Sequence, residues 1–217
     1  MSASNTHLVI KILVVGDSGV GKTSLVNGIC HQEILHFPKT TIGCSIDVLI
    51  HTVDERSYDI ELWDIAGSAC YRKSRFIFYD HFDGIILVHD VTNRKSYENL
   101  DEWLKEIYAA SPQNHSHFYS RNLISERIPS CRPSTRDPEL GEGDRSWVPM
   151  ILVGTKADLD SGQKVSNSFF LGGDGIVVSG LNRDCFSENS GFMKKIRFFF
   201  DRVIEYSISN CKRRHIK

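Results

Sequence analysis

The residues best suited to chemistry form a glycine-rich run early in the chain. Gly16, Gly21, Lys22 and Thr23 satisfy the pattern G-x-x-x-x-G-K-[ST], and an apolar run precedes them. Such glycines let backbone N–H groups surround phosphates, and the N-terminus of a following helix adds partial positive charge. The lysine reaches the β- and γ-phosphates, and the threonine hydroxyl ligates Mg²⁺. The sequence therefore predicts a nucleotide phosphate site over Asp17, Ser18, Gly19, Val20, Gly21, Lys22, Thr23 and Ser24.

Two further polar groups follow apolar segments. Asp64 and Gly67 form D-x-x-G at the end of one segment, where the carboxylate can hold Mg²⁺ through water and the Gly67 N–H can meet a γ-phosphate. Thr155, Lys156 and Asp158 follow another. A carboxylate in this place can accept hydrogen bonds from N1–H and the 2-amino group of guanine, which adenine lacks. The stem of Lys156 is expected to cover the base. The sequence thus favours guanine.

Apolar periodicity predicts the elements that must position these residues. Strands are expected over 8–15, 44–51, 58–62, 84–88, 149–153 and 175–178. Helices are expected over 23–30, 96–109 and 191–208, with Ser96 as a cap and with Trp103 and the run Phe198–Phe200 in the core. The second and third strands form a hairpin. We predict an α/β fold of the P-loop NTPase type, with a six-stranded, mostly parallel sheet, one antiparallel hairpin strand and flanking helices.

Composition limits the classes of function. The chain has 217 residues and a formal net charge of -1, which gives no whole-molecule electrostatic case for binding nucleic acid. We expect one domain over 1–217, with a mobile insertion at 111–147 that holds four of the six prolines, and a basic tail at 209–217. No apolar run is long enough to cross a bilayer, and the N-terminus resembles no secretory signal. Scattered cysteines fit reduced thiols. We expect a cytoplasmic protein.

The three motifs together resemble the Ras superfamily of small GTPases, its Rab branch in particular. The resemblance extends to Thr41-Ile42-Gly43, to the segment Ile60–Asp64 and to Gly84–Asn93. The segments Gly43–Val48, Val88–Asp90, Gly154–Lys156 and Phe199–Glu205 are similar to the Rab-like protein 3 group. The resemblance implies GTP/GDP and Mg²⁺ as ligands, with Thr41 contacting the metal and the γ-phosphate. It also implies effector and regulatory partners in intracellular trafficking or signalling, and a face at Ile46, Val48 and Trp63 that could pair with a second copy.

The sequence departs from the family at four places. Ser68 stands at the position of the glutamine that orients the attacking water, so we expect hydrolysis below the family level, with Lys22 and Ser68 as the candidate catalytic residues. Thr155 replaces an asparagine that ties the base loop to the P-loop, which predicts weaker retention of nucleotide. Ser179-Gly180-Leu181 occupies the place of the third base-contacting element without matching it. Cys211 lies too far from the end for prenylation, so partners would bring the protein to membranes.

Three functions remain open at this point. The first is a switch in which Mg·GTP orders the segments near Thr41 and Gly67 and thereby controls partner binding. The second is a constitutively GTP-loaded scaffold or dimerising protein, favoured by Ser68 and by the missing lipid site. The third, a phosphotransferase, lacks a recognisable acceptor pocket. The first is the leading hypothesis because Lys22, Thr23, Thr41 and Asp64 are intact.

Overall fold

The computed structural model describes residues 8–110, 148–159 and 176–214, with side chains described as far as residue 210. The predicted insertion at 111–147 and the last three residues of the predicted tail lie outside this range. Six described strands form one sheet: β1 (Leu8–Val15), β2 (Cys44–Val53), β3 (Arg56–Ile65), β4 (Gly84–Asp90), β5 (Met150–Thr155) and β6 (Ile176–Val177).

The sheet has the strand order β2-β3-β1-β4-β5-β6. Only β2 and β3 pair antiparallel; all other neighbours are parallel, with Leu8 opposite Tyr58 and Ile12 opposite Gly84. The predicted α/β fold with one antiparallel hairpin strand is therefore confirmed. Because β1 is central, the loop that follows it emerges at the carboxyl edge of the parallel strands, where ligands of open α/β sheets bind.

Four α-helices flank the sheet within the described residues: α1 (Lys22–His31), α2 (Arg94–Glu98), α3 (Leu100–Ala110) and α4 (Gly191–Arg214). Single turns of 3₁₀ helix occur at Ala69–Tyr71, Arg75–Phe78, Ala157–Leu159 and Arg183–Phe186. Alternate residues of β1 point to opposite faces. Ile10, Ile12 and Val14 join a core with α1 and α4, whereas Leu13 and Val15 join one with α3. Both faces are buried along most of β1, which explains the apolar run that only Lys11 interrupts.

Four sequence predictions about the helices were wrong. The predicted helix 96–109 is divided into α2 and α3, with Asn99 between them. Ser96 does not cap a helix: Asn93 caps α2 by accepting a hydrogen bond from the Lys95 N–H, and Ser96 is buried and bonds the backbone of Asp90. Phe198 is 63% exposed, because helical periodicity turns it away from the core that its neighbours Phe199 and Phe200 enter. The last helix continues six residues beyond residue 208, to Arg214.

The turn of the hairpin is unusual in its residue types. Asp54 and Glu55 connect β2 to β3, and both are left-handed, with φ of 47° and 64°. Two-residue hairpin turns with positive φ at both positions are normally made by Asn-Gly or similar pairs. A glutamate side chain in this region of φ costs conformational energy.

Candidate functional site

The P-loop runs from the end of β1 to the start of α1. Gly16, Gly19 and Gly21 all have positive φ, at 149°, 76° and 97°. A Cβ at Gly16 would overlap the carbonyl oxygen of Val88 on β4, so only glycine fits there. Gly21 is the N-cap of α1 and forms no side-chain cap bond. The loop thus presents backbone N–H groups and a helix N-terminus at the sheet edge.

Lys22 folds back over this loop. Its Nζ donates hydrogen bonds to the carbonyl oxygens of Gly16 and Asp17, each at 2.8 Å. The side chain is 6% exposed, and burial lowers its pKa to about 8, although Asp64 and Asp17 act to raise it. An ammonium group has three donors, so one remains for an anion in front of the loop.

Three oxygen atoms converge beside Lys22. The hydroxyls of Thr23 and Thr41 donate to Oδ2 of Asp64 at 2.6 and 3.0 Å, and the two hydroxyl oxygens lie 2.9 Å apart. Oδ1 of Asp64 is buried and accepts no hydrogen bond from the described residues. Burial raises the pKa of Asp64, against the effects of the Thr23 hydrogen bond and the Lys22 charge. Clustered hydroxyl and carboxylate oxygens with an unused acceptor suit a hard cation such as Mg²⁺.

The other end of the site is built by the loops after β5 and β6. Ser179 donates to Oδ1 of Asp158 at 2.5 Å, and the N–H of Leu181 donates to the Ser179 hydroxyl at 3.2 Å. This holds the Asp158 carboxylate in one orientation with its second oxygen available. Lys156, at φ 61°, pairs through Nζ with Oδ2 of Asp90 at 2.7 Å. Burial acts to raise the pKa of Asp90, but the hydrogen bonds from Lys156 and Thr92 together outweigh it and lower the pKa.

Thr155 links the base end of the site to the P-loop. Its hydroxyl lies within hydrogen-bonding reach of the Val20 carbonyl oxygen and is 2.9 Å from that of His89. A hydroxyl has a single hydrogen, so it donates to one of these oxygens at a time. An asparagine amide could donate to both. Thr155 therefore lies where it can link the base loop to the P-loop, but it donates one hydrogen bond where an asparagine could donate two.

These elements surround one cavity of about 440 Å³, a size typical of small-molecule sites. The sequence-predicted residues in its wall are Ser18, Gly19, Gly21, Lys22, Thr23, Ser24, Thr41, Gly67, Thr155, Lys156, Asp158, Gly180 and Leu181. Five other predicted residues do not line it: Asp17, Val20, Asp64, Ser68 and Ser179. Four of these five, all except Ser68, form hydrogen bonds with residues that line it.

Sequence reasoning missed part of the wall. The segment between α1 and β2 contributes Leu35, His36, Pro38, Lys39 and Thr40. This segment has no regular secondary structure, so no periodic pattern could place it over the cavity. Thr41 was found only through the family resemblance.

Sequence reasoning also missed the role of the Asp17 side chain. It points away from the cavity toward α3, where its oxygens accept hydrogen bonds from Asn99 Nδ2 at 2.7 Å and Trp103 Nε1 at 2.9 Å. The apolar spacing of α3 identified Trp103 as a core residue, which it is, at 5% exposure. Nothing in that spacing reports which acceptor an indole N–H meets.

Ser68 lies next to Gly67 but outside the cavity wall. Its hydroxyl lies 3.1 Å from the Sγ of Cys70, which is exposed. A Cβ at Gly67 would overlap the backbone of Asp17 and Ser18, so the loop after β3 contacts the P-loop closely. The serine side chain is therefore held beside the loop and does not reach into the cavity.

Comparison with known proteins agrees with this geometry. Residues 11–121 match the Ras family. Rab-like protein 3 of Mus musculus is 35% identical over an alignment of 219 positions, which covers 90% of this chain and 84% of that protein. Rab-like protein 3 of Danio rerio is also 35% identical, over 90% of this chain and 85% of its own length. The small GTPase LIP1 of Arabidopsis thaliana is 34% identical over 69% of this chain and 42% of its own.

Proposed function

Because the chain belongs to the Ras family of small GTPases, we propose that it binds GTP and GDP with Mg²⁺ and acts as a switch that controls partner binding. One observation carries the proposal: the hydroxyl oxygens of Thr23 and Thr41 both lie within 3.0 Å of Asp64 Oδ2, beside the buried Lys22. A phosphate site and a hard-cation site share one wall of the cavity there.

The phosphates lie on the P-loop in this proposal. Backbone N–H groups of residues 17–24 and the free donor of Lys22 bind the phosphate oxygens, and the N-terminus of α1 adds favourable charge. Thr23 and Thr41 would hold Mg²⁺ through their hydroxyls and Asp64 would hold it through water, with Oδ1, which has no hydrogen-bond partner among the described residues, as an acceptor. When bound, Mg²⁺ neutralises part of the phosphate charge. Gly67 contributes its N–H to the γ-phosphate.

The base lies at the opposite end, against Thr155, Lys156 and Asp158. The carboxylate of Asp158, oriented by Ser179, accepts from N1–H and the 2-amino group of guanine. Adenine has no donor for this carboxylate, so ATP would form neither of these two hydrogen bonds. Lys156 covers the base with its stem, and Gly180 and Leu181 close the wall.

The output of the switch is partner binding. Thr41 and Gly67 both contact the γ-phosphate, so the surface around them depends on the nucleotide. Next to it, Ile46 and Val48 on β2 are 49% and 53% exposed. Effectors, regulators or a second copy bind this face, and by analogy with the Rab-like relatives the process served is intracellular transport or signalling. None of the described helices is both long and apolar enough to cross a bilayer.

A second candidate is a GTP-loaded scaffold with little hydrolysis. It is supported by Ser68, which is not a glutamine, does not line the cavity and contacts Cys70 through its hydroxyl. Without a side-chain amide to orient water, hydrolysis falls below the family rate of roughly 10⁻⁴ per second.

The nucleotide that copurifies with the protein tests both functions. The full chain is purified with Mg²⁺, and the bound nucleotide is identified by chromatography over several hours. Guanine nucleotide at stoichiometric amounts is expected, and GTP must displace it far better than ATP. Conversion of bound GTP to GDP supports the cycling switch, and persistent GTP supports the scaffold. Absence of bound nucleotide, together with equal weak binding of ATP and GTP, would refute the proposal.

A single substitution tests the assignment of slow hydrolysis. Ser68→Gln supplies the missing amide and is expected to raise the single-turnover rate by about tenfold or more. Ser68→Ala is the matched control, because it removes the hydroxyl without adding an amide and leaves the rate unchanged. A wild-type rate equal to that of the glutamine variant would show that Ser68 does not limit hydrolysis.

A further inference from the structure

Arg75 is a buried cation that the proposed function does not use. It is 3% exposed and follows the loop after β3. Its Nε and Nη2 donate to the two carboxylate oxygens of Glu106 on α3, at 2.8 and 2.7 Å. The Tyr79 hydroxyl donates to the same carboxylate at 2.8 Å. A planar guanidinium bonded through two nitrogens is fixed in orientation as well as position.

The remaining nitrogen of Arg75 faces the loop that carries Gly67. Its Nη1 donates to the carbonyl oxygens of Ala66 and Ser68, at 3.1 and 3.3 Å. These carbonyls flank Gly67 on either side. One side chain therefore determines the path of the backbone at the residue proposed to meet the γ-phosphate.

The same guanidinium is tied to the P-loop through α3. It lies over the ring of Trp103, 4.1 Å from the ring centroid, and Trp103 Nε1 donates to Asp17. Asn99, one turn earlier, donates to the other oxygen of Asp17. Helix α3 thus holds the P-loop from behind and Arg75 from the side.

We propose that Arg75 is a positioning residue that fixes the loop Ala66–Ser68 against the P-loop in both nucleotide states. If the loop moved away, the Nη1 group of the buried Arg75 and the carbonyl groups of Ala66 and Ser68 would lose these hydrogen bonds, although Glu106 would still pair with Nε and Nη2; an unpaired buried donor is unfavourable. The loss of the γ-phosphate removes only one contact of this loop. Among the described residues, the segment around Thr41 is held by the Thr41 hydrogen bond to Asp64 and by the Ala66 N–H, which donates to the Gly43 carbonyl, and by no buried arginine, so we expect the nucleotide-dependent change to be concentrated there. This inference rests on the proposed function and restricts it.

Hydrogen–deuterium exchange of the full chain, loaded with GDP or with the non-hydrolysable analogue GppNHp, tests the proposal. In the wild type, exchange of residues 66–74 is expected to differ by less than about twofold between the two states, while 36–43 differs by about tenfold or more. In Arg75→Ala, residues 66–74 exchange at least about tenfold faster with GDP than with GppNHp.

Arg72→Ala is the matched control. Arg72 also contacts Glu106, at 3.3 Å, but its side chain is 62% exposed and it forms no bond to the Ala66 or Ser68 carbonyl. Arg72→Ala removes the same charge and is expected to leave the hydrogen–deuterium exchange of 66–74 and 36–43 as in the wild type. Should Arg75→Ala fail to fold, Arg75→Lys replaces it: the charge stays, but the two-pronged geometry is lost, so nucleotide dependence appears in 66–74 to a smaller extent.

Three outcomes overturn the proposal. The first is that residues 66–74 of the wild type exchange about tenfold faster with GDP than with GppNHp. The second is that Arg75→Ala and Arg72→Ala show the same exchange pattern. The third is that Arg75→Ala loses protection over the whole sheet and not specifically in 66–74. If neither nucleotide binds, the proposed function fails. The comparison of Arg75→Ala with Arg72→Ala in the nucleotide-free chain still tests the anchor, because only the Arg75 variant should expose 66–74.

Discussion

Lys22 combines a required charge with a position that disfavours it. Burial lowers its pKa to about 8 from the ordinary 10.5. Between these values the unfolded chain binds more protons than the folded one, so this residue's contribution to stability improves as pH rises from about 8 to 10.5. A bound phosphate acts to raise the pKa of Lys22, because a nearby anion favours the charged ammonium.

Nucleotide binding is therefore expected to take up a proton above pH 8. Affinity for GDP should fall between pH 7 and 9, approaching a loss of about tenfold per pH unit at the upper end. Titration calorimetry at pH 8.5 in two buffers of different ionisation enthalpy measures the uptake directly. Equal enthalpies in the two buffers would show that Lys22 keeps its proton in the free protein.

Residue types alone predicted ten of the 21 residues in the cavity wall, because the P-loop, D-x-x-G and guanine motifs are local patterns. Lys22, Thr23 and Asp158 are found in this way. The side-chain partners of Asp17 and Arg75 were not predicted, since Asn99, Trp103 and Glu106 lie far away in sequence and the register of α3 against the P-loop decides the contact.

At the scale of elements, α3 does more than fill the core. Trp103 is packed on one face of the helix, bonds Asp17 of the P-loop and supports Arg75. One turn later, Glu106 anchors the same arginine. The helix therefore joins two loops that line the cavity, and a defect in it is transmitted to both.

The Trp103→Phe substitution measures this link. It removes the bond to the Asp17 carboxylate and part of the ring, so we expect the free energy of unfolding to fall by about 2–4 kcal/mol. A double-mutant cycle with Asp17→Ala isolates the hydrogen bond and should give a coupling of about 1–2 kcal/mol by urea unfolding. Glu102→Gln, on the exposed face of α3, serves as control with little change. Additive effects of the two substitutions would contradict the link.

Sequence patterns located the strands well, because β1 is apolar except for Lys11, β4 is apolar from Gly84 to Val88, and the hairpin alternates. Helix limits were less predictable. A continuous helix over 96–109 was expected, yet the chain forms α2 and α3 with Asn99 between them. Ser96 resembled a cap by type, but its burial against Asp90 determines its role, and burial depends on tertiary packing.

At the scale of the molecule, the described residues assemble a core on each face of the sheet. Helix α3 ends at Ala110 and β5 starts at Met150. Residues 111–147 of the intervening chain are proposed to be an insertion that the domain does not need for its fold.

Shortening this connection tests the proposal. Replacement of 111–147 by about ten Gly and Ser residues should preserve nucleotide binding within about twofold. Because loop closure becomes cheaper, stability should rise by about 1 kcal/mol. A Gly/Ser segment of the original length is the control and should change neither property. A shortened chain that does not fold, measured by thermal unfolding, would make the segment part of the domain.

The left-handed turn at Asp54 and Glu55 has a kinetic consequence. The hairpin is the one described strand pair joined by two residues, whereas β1 must find β3 across a long loop. Local pairs form in microseconds, so the hairpin is a natural early event, and an unfavourable turn slows it. Asp54→Asn with Glu55→Gly should speed refolding several-fold and stabilise the protein by about 1 kcal/mol. Glu55→Ala is the control: alanine is also strained at a positive φ, so neither the refolding rate nor the stability should increase. If stopped-flow chevrons instead show the gain only in the unfolding limb, the hairpin forms after the rate-limiting step.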